Sequence, residues 1–281
     1  MKTRKQHKTL YSILYYGFLL SILGYIVTYQ VQECRWYQQT QCVKRESINY
    51  DKFRTFELGP EWIAEGKKYD MAHVSNYIAY EMLSNNYQMK KKPYEFEPKI
   101  FRECMKIEDA EAYTELKDYY ERILSDLKVY PVVEREDQSE RTAFDNSWSA
   151  PRNYGGNRLH EGTDIMTTNN KAGYFPIVSI TDGVVEEKGW LTLGGYRIGV
   201  RSEHGAYFYY AHLYDYAPNL EVGDTVKAGQ LLGFMGDSGY GEEGTTGKFD
   251  VHLHLGIYID SKLGEMSVNP YNILKYFKIH R

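Results

Sequence analysis

From Leu10 to Val31 the chain carries no charged residue, whereas Lys2, Arg4, Lys5 and Lys8 crowd the stretch before it. At about 1.5 Å per residue such a run makes a helix of roughly 33 Å, enough to cross a bilayer core. Tyr11, Tyr15 and Tyr16 lie near one end and Tyr25 and Tyr29 near the other, as interfacial anchors do. The basic flank predicts a cytoplasmic tail over 1–9, a transmembrane helix over 10–31, and everything beyond it outside. The following "TYQVQECRWY" has no small-residue cleavage pattern, and Val31-Gln32-Glu33 before Cys34 are not those of a lipoprotein signal. A retained single-pass anchor is expected.

Residues 32–130 read as a linker followed by helices. "YDMAHVSNYIAYEMLSNNY" places Met71, Val74, Ile78 and Met82 at three- and four-residue spacing. Ile107, Ala110, Leu116, Tyr120, Ile123, Leu124 and Leu127 trace a second stripe. Pro98 suits the first turn of that segment, and Pro131 lies just past its end. The pattern predicts a small helical stalk that packs on itself. A regulatory partner docking on it, or a gating module, is the sharper alternative.

After Tyr130 helical periodicity stops and glycine becomes frequent. "FPIVSITDGVVEEKG" and "YRIGVRSEHGAYFYYAHL" alternate apolar and polar residues around turns, with Glu203-His204-Gly205 as a hairpin turn and His204 a solvated residue within it. "EVGDTVKAGQLLGFMG" adds short strands between Gly turns. The expected architecture is α+β overall: transmembrane helix, helical stalk, and an antiparallel β domain over 131–281.

Composition changes this picture little. The 281 residues are 42% hydrophobic and 26% charged, which is ordinary for a globular chain. The net charge of -4, without a long basic block, argues against a nucleic-acid partner. Tyrosine, at 28 residues, suits half-buried strands and membrane surfaces alike. The three cysteines form no CxxC, so no thiolate metal site is expected. Cys34 and Cys42 are either free or bridged in an oxidising compartment.

The histidines carry the candidate chemistry. "NYGGNRLHEGTDIM" sets His160 four residues before Asp164 in a Gly-rich loop that leads into a strand. This is not an HExxH helix. His212 ends the strand "YFYYAHLYDY", and His252 and His254 share one face of the strand "DVHLHLG". Alone, each is ordinarily a hydrogen-bonded structural histidine. Together they offer five candidates where a catalytic zinc needs three protein ligands and an open position, leaving spare imidazoles for acid–base work.

At these residues the stretch from about Trp148 to Pro270 resembles the lysostaphin-like (LytM-type) zinc metalloendopeptidases, which cleave peptide bonds in bacterial peptidoglycan. The resemblance rests on "SWSAPRNYGGNRLHEGTDIM", "YYAHL", "GDTVKAGQLLGFMGDSGYG" and "GTTGKFDVHLHLGIYI" in that order. It implies one Zn²⁺ per domain, held by His160, Asp164 and His254, with His212 and His252 as the catalytic histidines. It also implies a groove for an extended peptide, for which Tyr154, Tyr174, Trp190, Tyr240 and Lys248 are candidate walls. The expected protein is a single-pass cell-membrane enzyme with its catalytic domain outside, acting on peptidoglycan stems or cross-bridges. A non-enzymatic envelope scaffold with the same fold is the alternative.

Overall fold

The computed structural model describes residues 2–89, 104, 107, 110–135, 139–153 and 156–280. The predicted Pro98 helix start lies outside them.

Helix α1 (Lys2–Val43) contains the apolar run but does not stop at Val31. It corrects the expected linker: "QVQECRWYQQTQCV" has neither Gly nor Pro to end a helix. Its last turns also find a partner. Thr40 and Val43 are buried, and the Trp36 ring lies 6.5 Å from Tyr80 of α4 (Met71–Ser84). Trp36, Thr40 and Val43 recur at helical spacing, so one face of α1 docks on the helical module. From Leu10 to Gln32 the helix is exposed, with a stretch of mean hydropathy 1.8. Length and apolar composition of this kind belong to a membrane span and to a signal sequence alike. Cys34 and Cys42 are free and sit eight residues apart on this helix. That is about 12 Å of rise, beyond disulfide reach.

The helical module contains α2 (Tyr50–Arg54), α3 (Pro60–Lys68), α4 and α5 (Glu111–Leu124). Asp70 caps α4, its carboxylate accepting from the Ala72 amide. The predicted stripe Met71, Val74, Ile78 and Met82 is buried, but so are Ser75, Tyr77, Ala79 and Tyr80. The helix is enclosed because α1, α3 and α5 all pack on it. Trp62 of α3, fully buried, stacks on Tyr77 at 5.2 Å. In α5, Leu116, Tyr120, Ile123 and Leu124 face inward as predicted.

The β domain is one antiparallel sheet of ten strands among the described residues. Its main path runs β1 (Thr142–Ala143), β4 (Thr163–Thr167), β11 (His252–Ser261), β8 (Tyr207–Tyr216), β7 (Gly195–Ser202), β6 (Gly183–Leu191), β9 (Thr225–Val226). β10 (Leu231–Met235) joins β5 (Pro176–Val178) to β8, and β12 (Gly264–Val268) pairs with β11. β2 (Pro151–Arg152) and β3 (Arg158–Leu159) form a separate small hairpin, and α6 (Tyr271–Ile279) closes the chain against α3. The fold class is therefore the predicted one.

The expectation of a stalk packing only on itself is corrected. Helical module and sheet share one buried apolar cluster. The Arg54 guanidinium donates to the Ser267 carbonyl at 3.0 Å and to Glu161 at 2.7 Å, and the Asn269 amide donates to the Arg54 carbonyl at 2.9 Å. His204, exposed in its turn as expected, also holds Asp126 of the segment after α5 through both its backbone amide and Nδ1, each at 2.8 Å. A hairpin turn exposed in an isolated β domain is thus a docking point here.

Candidate active site

Strand register builds the site. β4 and β11 pair so that Asp164 lies opposite His254, and β11 and β8 so that Ala211 lies opposite His254. Directly opposed residues share a sheet face with Cβ atoms about 5 Å apart. Asp164 and His254 are thereby juxtaposed by hydrogen-bonded backbone. His252, two residues earlier, joins them on that face.

His160 arrives from the end of the β2–β3 hairpin and is buried. Its Nδ1 faces the Ser147 carbonyl at 3.0 Å, so the N–H sits there and Nε2 carries a lone pair. His160 Nε2, His254 Nδ1 and Asp164 Oδ1 then form a triangle with all three sides 3.0 Å. Three potential ligand atoms this close, in a partly buried site, form a group that could hold a metal ion. Tetrahedral ligands at zinc distances stand about 3.4 Å apart, so the spacing and the two-nitrogen, one-oxygen donor set fit a Zn²⁺-type ion.

The second oxygen of Asp164, Oδ2, takes a hydrogen bond from Arg152 at 2.5 Å. Burial alone would raise the Asp164 pKa, but its close contacts with the His160, His254 and His252 imidazoles hold it far below the usual carboxylate range. Burial, aided by neighbouring His160 and His252, lowers the pKa of His254 despite Asp164.

His212 and His252 flank the triangle, their rings 4.7 Å apart. Each is pinned through Nδ1 to a backbone carbonyl, His212 to Ser238 at 2.8 Å and His252 to Asp250 at 2.7 Å. Each therefore presents Nε2 as an acceptor. His252 Nε2 lies 3.7 Å from Asp164 Oδ1. Burial, then repulsion from His252 and His254, pushes the His212 pKa well below its ordinary value.

Alternation along β8 would send His212 to the face opposite Ala211, away from His254. The backbone corrects this with a bulge, and His212 takes φ 62°, in the left-handed region. Such a conformation costs a non-glycine residue about 1–3 kcal/mol and is typical of functional sites. Gly162 is equally constrained: a Cβ there would lie 2.5 Å from His254 Cε1 and 2.6 Å from the Leu255 carbonyl oxygen.

The candidate groove walls divide. The Tyr240 ring stands edge-on to His212 at 6.1 Å, with Phe249 wedged 4.6 Å from His212. The Trp190 indole donates to the Gly241 carbonyl at 3.3 Å and so braces the Tyr240 loop from behind. Tyr174 packs on Phe175 at 4.9 Å, and Lys248 is exposed; neither has a described contact with the site histidines. Tyr154 lies outside the described residues. Arg152, Arg158 and Phe249 went unnoticed in the sequence, although Arg158 shares strand parity with His160.

Comparison with known proteins agrees with this geometry. The model of peptidase family M23 matches residues 158–270. A crystal structure from Ruminococcus gnavus assigned as a glycyl-glycine endopeptidase lytM superposes with a TM-score of 0.72 at 42% identity, over 86% of this chain and 96% of that one. The chain belongs to peptidase family M23. The structural match is longer than the β domain, so this M23 protein shares helical residues ahead of its peptidase domain with that relative. It is 40% identical over 177 residues to the L-Ala--D-Glu endopeptidase of Bacillus subtilis, and 34% identical over 119 residues to lysostaphin of Staphylococcus simulans. These matches cover 63% and 42% of this chain but only 49% and 22% of those relatives.

Proposed function

We propose that the protein is a membrane-anchored zinc metalloendopeptidase that hydrolyses peptide bonds in peptidoglycan stems or cross-bridges. The observation that carries this is the triangle of His160 Nε2, Asp164 Oδ1 and His254 Nδ1, flanked by two further imidazoles whose Nε2 atoms are acceptors. His160, Asp164 and His254 would hold the metal. Zinc in such a site supplies Lewis acidity and a nucleophile at neutral pH.

The chain's own residues do the rest. Ser147 orients His160, and Arg152 occupies the outer oxygen of Asp164, leaving Oδ1 for the metal. His212, kept neutral by burial, is suited to accept a proton at Nε2. His252, beside it, completes the pair that moves protons to the leaving amine. Residues 1–9 lie in the cytoplasm, the apolar part of α1 spans the membrane, and the remainder stands outside. Because α1 docks directly on the helical module, the peptidase would be carried rigidly above the membrane rather than on a tether.

Digestion of defined muropeptides by the detergent-solubilised chain tests the reading, with products identified by mass spectrometry. Cleavage that a chelator abolishes and Zn²⁺ restores is the expected result. Bound zinc with no cleavage of any muropeptide would overturn it in favour of a scaffold.

A further inference from the structure

Among the described residues, Arg158 is a cation with no carboxylate partner. Its partner across the hairpin, Arg152, and the β7 arginines Arg197 and Arg201 each hold a carboxylate, at 2.5, 2.8 and 2.6 Å. Arg158 holds none: its one described hydrogen bond runs from Nη2 to the Tyr240 hydroxyl oxygen at 3.0 Å, and its Nε is buried without a partner. A half-buried guanidinium offers five N–H groups, and leaving them unpaired is costly. Arginine is also the side chain whose fork best matches a carboxylate.

Its position is as informative as its vacancy. Arg158 opens β3 and His160 follows its end, and both are less exposed than Leu159 between them. Tyr240, which accepts its bond, is edge-on to His212. Its charge is also felt at Tyr209, whose ring lies 6.0 Å from that of His254. The cation is thus held by Tyr240, whose ring meets His212, and its charge reaches Tyr209, whose ring meets His254.

We propose that Arg158 is a specificity residue that binds a carboxylate of the peptide being cleaved, so that the substrate is an acidic stem peptide rather than an uncharged glycine bridge. This rests on the peptidase reading above. Two carboxylates of a stem could fill the role: the free carboxylate of a glutamyl residue, or the carboxylate at the peptide's end.

The test uses the zinc-loaded full chain in detergent and two matched pairs of stem peptides. One pair differs in glutamyl carboxylate against carboxamide, the other in C-terminal acid against amide. The wild type should favour the acid of one pair by about 10- to 100-fold in kcat/KM, the range for a hydrogen-bonded charge, and that pair identifies the carboxylate. Arg158→Gln should erase the preference by slowing the acid while sparing its amide partner. Arg158→Lys, which keeps charge without the fork, should restore part of it. Equal rates within both pairs, or an equal loss on acid and amide in Arg158→Gln, would overturn the proposal. Cleavage of glycine cross-bridges with no cleavage of any stem peptide would overturn the proposal and leave the peptidase reading standing; if neither is cleaved, the peptidase reading fails, and calorimetric binding of the same pairs to wild type and Arg158→Gln still decides Arg158. An acid preference lost in the variant supports it, and equal affinities refute it.

Discussion

At the residue scale, the two proposed histidine ligands enter the triangle through different ring nitrogens, His160 through Nε2 and His254 through Nδ1. His254 turns Nδ1 into the triangle, whereas His212 and His252 spend theirs on backbone carbonyls. His254→Ala should therefore abolish zinc binding, read by metal analysis after dialysis. His212→Ala and His252→Ala should keep zinc and lose turnover by about 10²- to 10⁴-fold, as for a lost acid–base group. Gly162→Ala should displace His254 and weaken zinc binding in a chelator competition, because neither the imidazole nor the Leu255 carbonyl can yield. Titration gives a further check. His212 and His254 have lowered folded pKa values, so below about 6.5 the unfolded chain binds protons that the folded one refuses. The zinc-free protein should lose stability as pH falls through that range. The depressed pKa of Asp164 extends the loss below about 4. Thermal unfolding between pH 8 and pH 5 should show Tm falling, with a shallower fall in His212→Asn.

At the element scale, patterning found α4 and α5 because amphipathic spacing is local, and it found hairpins because turn residues are local. It could not see that α4 is buried on almost every side, since that depends on which helices surround it. Nor could it see where α1 ends: the charged and polar residues after Val31 read as a linker, but Thr40 and Val43 are buried against the helical module. Trp62, stacked on Tyr77, is a keystone of that module, and Trp62→Ala should cost about 3–5 kcal/mol in a denaturant titration.

At the scale of the molecule, the helices and the sheet form one folding unit. Arg54, Asp126 and the Lys128 amide reach across to Ser267, His204 and the Ile180 carbonyl. A fragment starting at residue 131 would expose the apolar face these helices cover, and should melt well below a fragment starting at residue 32, measured by circular dichroism. Cell fractionation checks the anchor: the full chain should pellet with membranes, and the fragment from residue 32 should not.

The sequence by itself determined the apolar N-terminal run, the change from helical to strand periodicity after Tyr130, and the five candidate residues of the site, because each is written in local spacing or residue type. Arg158 was visible only as a basic residue in a Gly-rich loop, since a cation that none of the described carboxylates pairs with can be recognised only in the folded chain. His212 shows the same limit from the other side. Period-two alternation points it away from His254, and a bulge with positive φ turns it back. Tertiary structure alone decided these matters, because the register between strands distant in sequence, and the strain that the surrounding packing can hold in place, belong to no single segment of the chain.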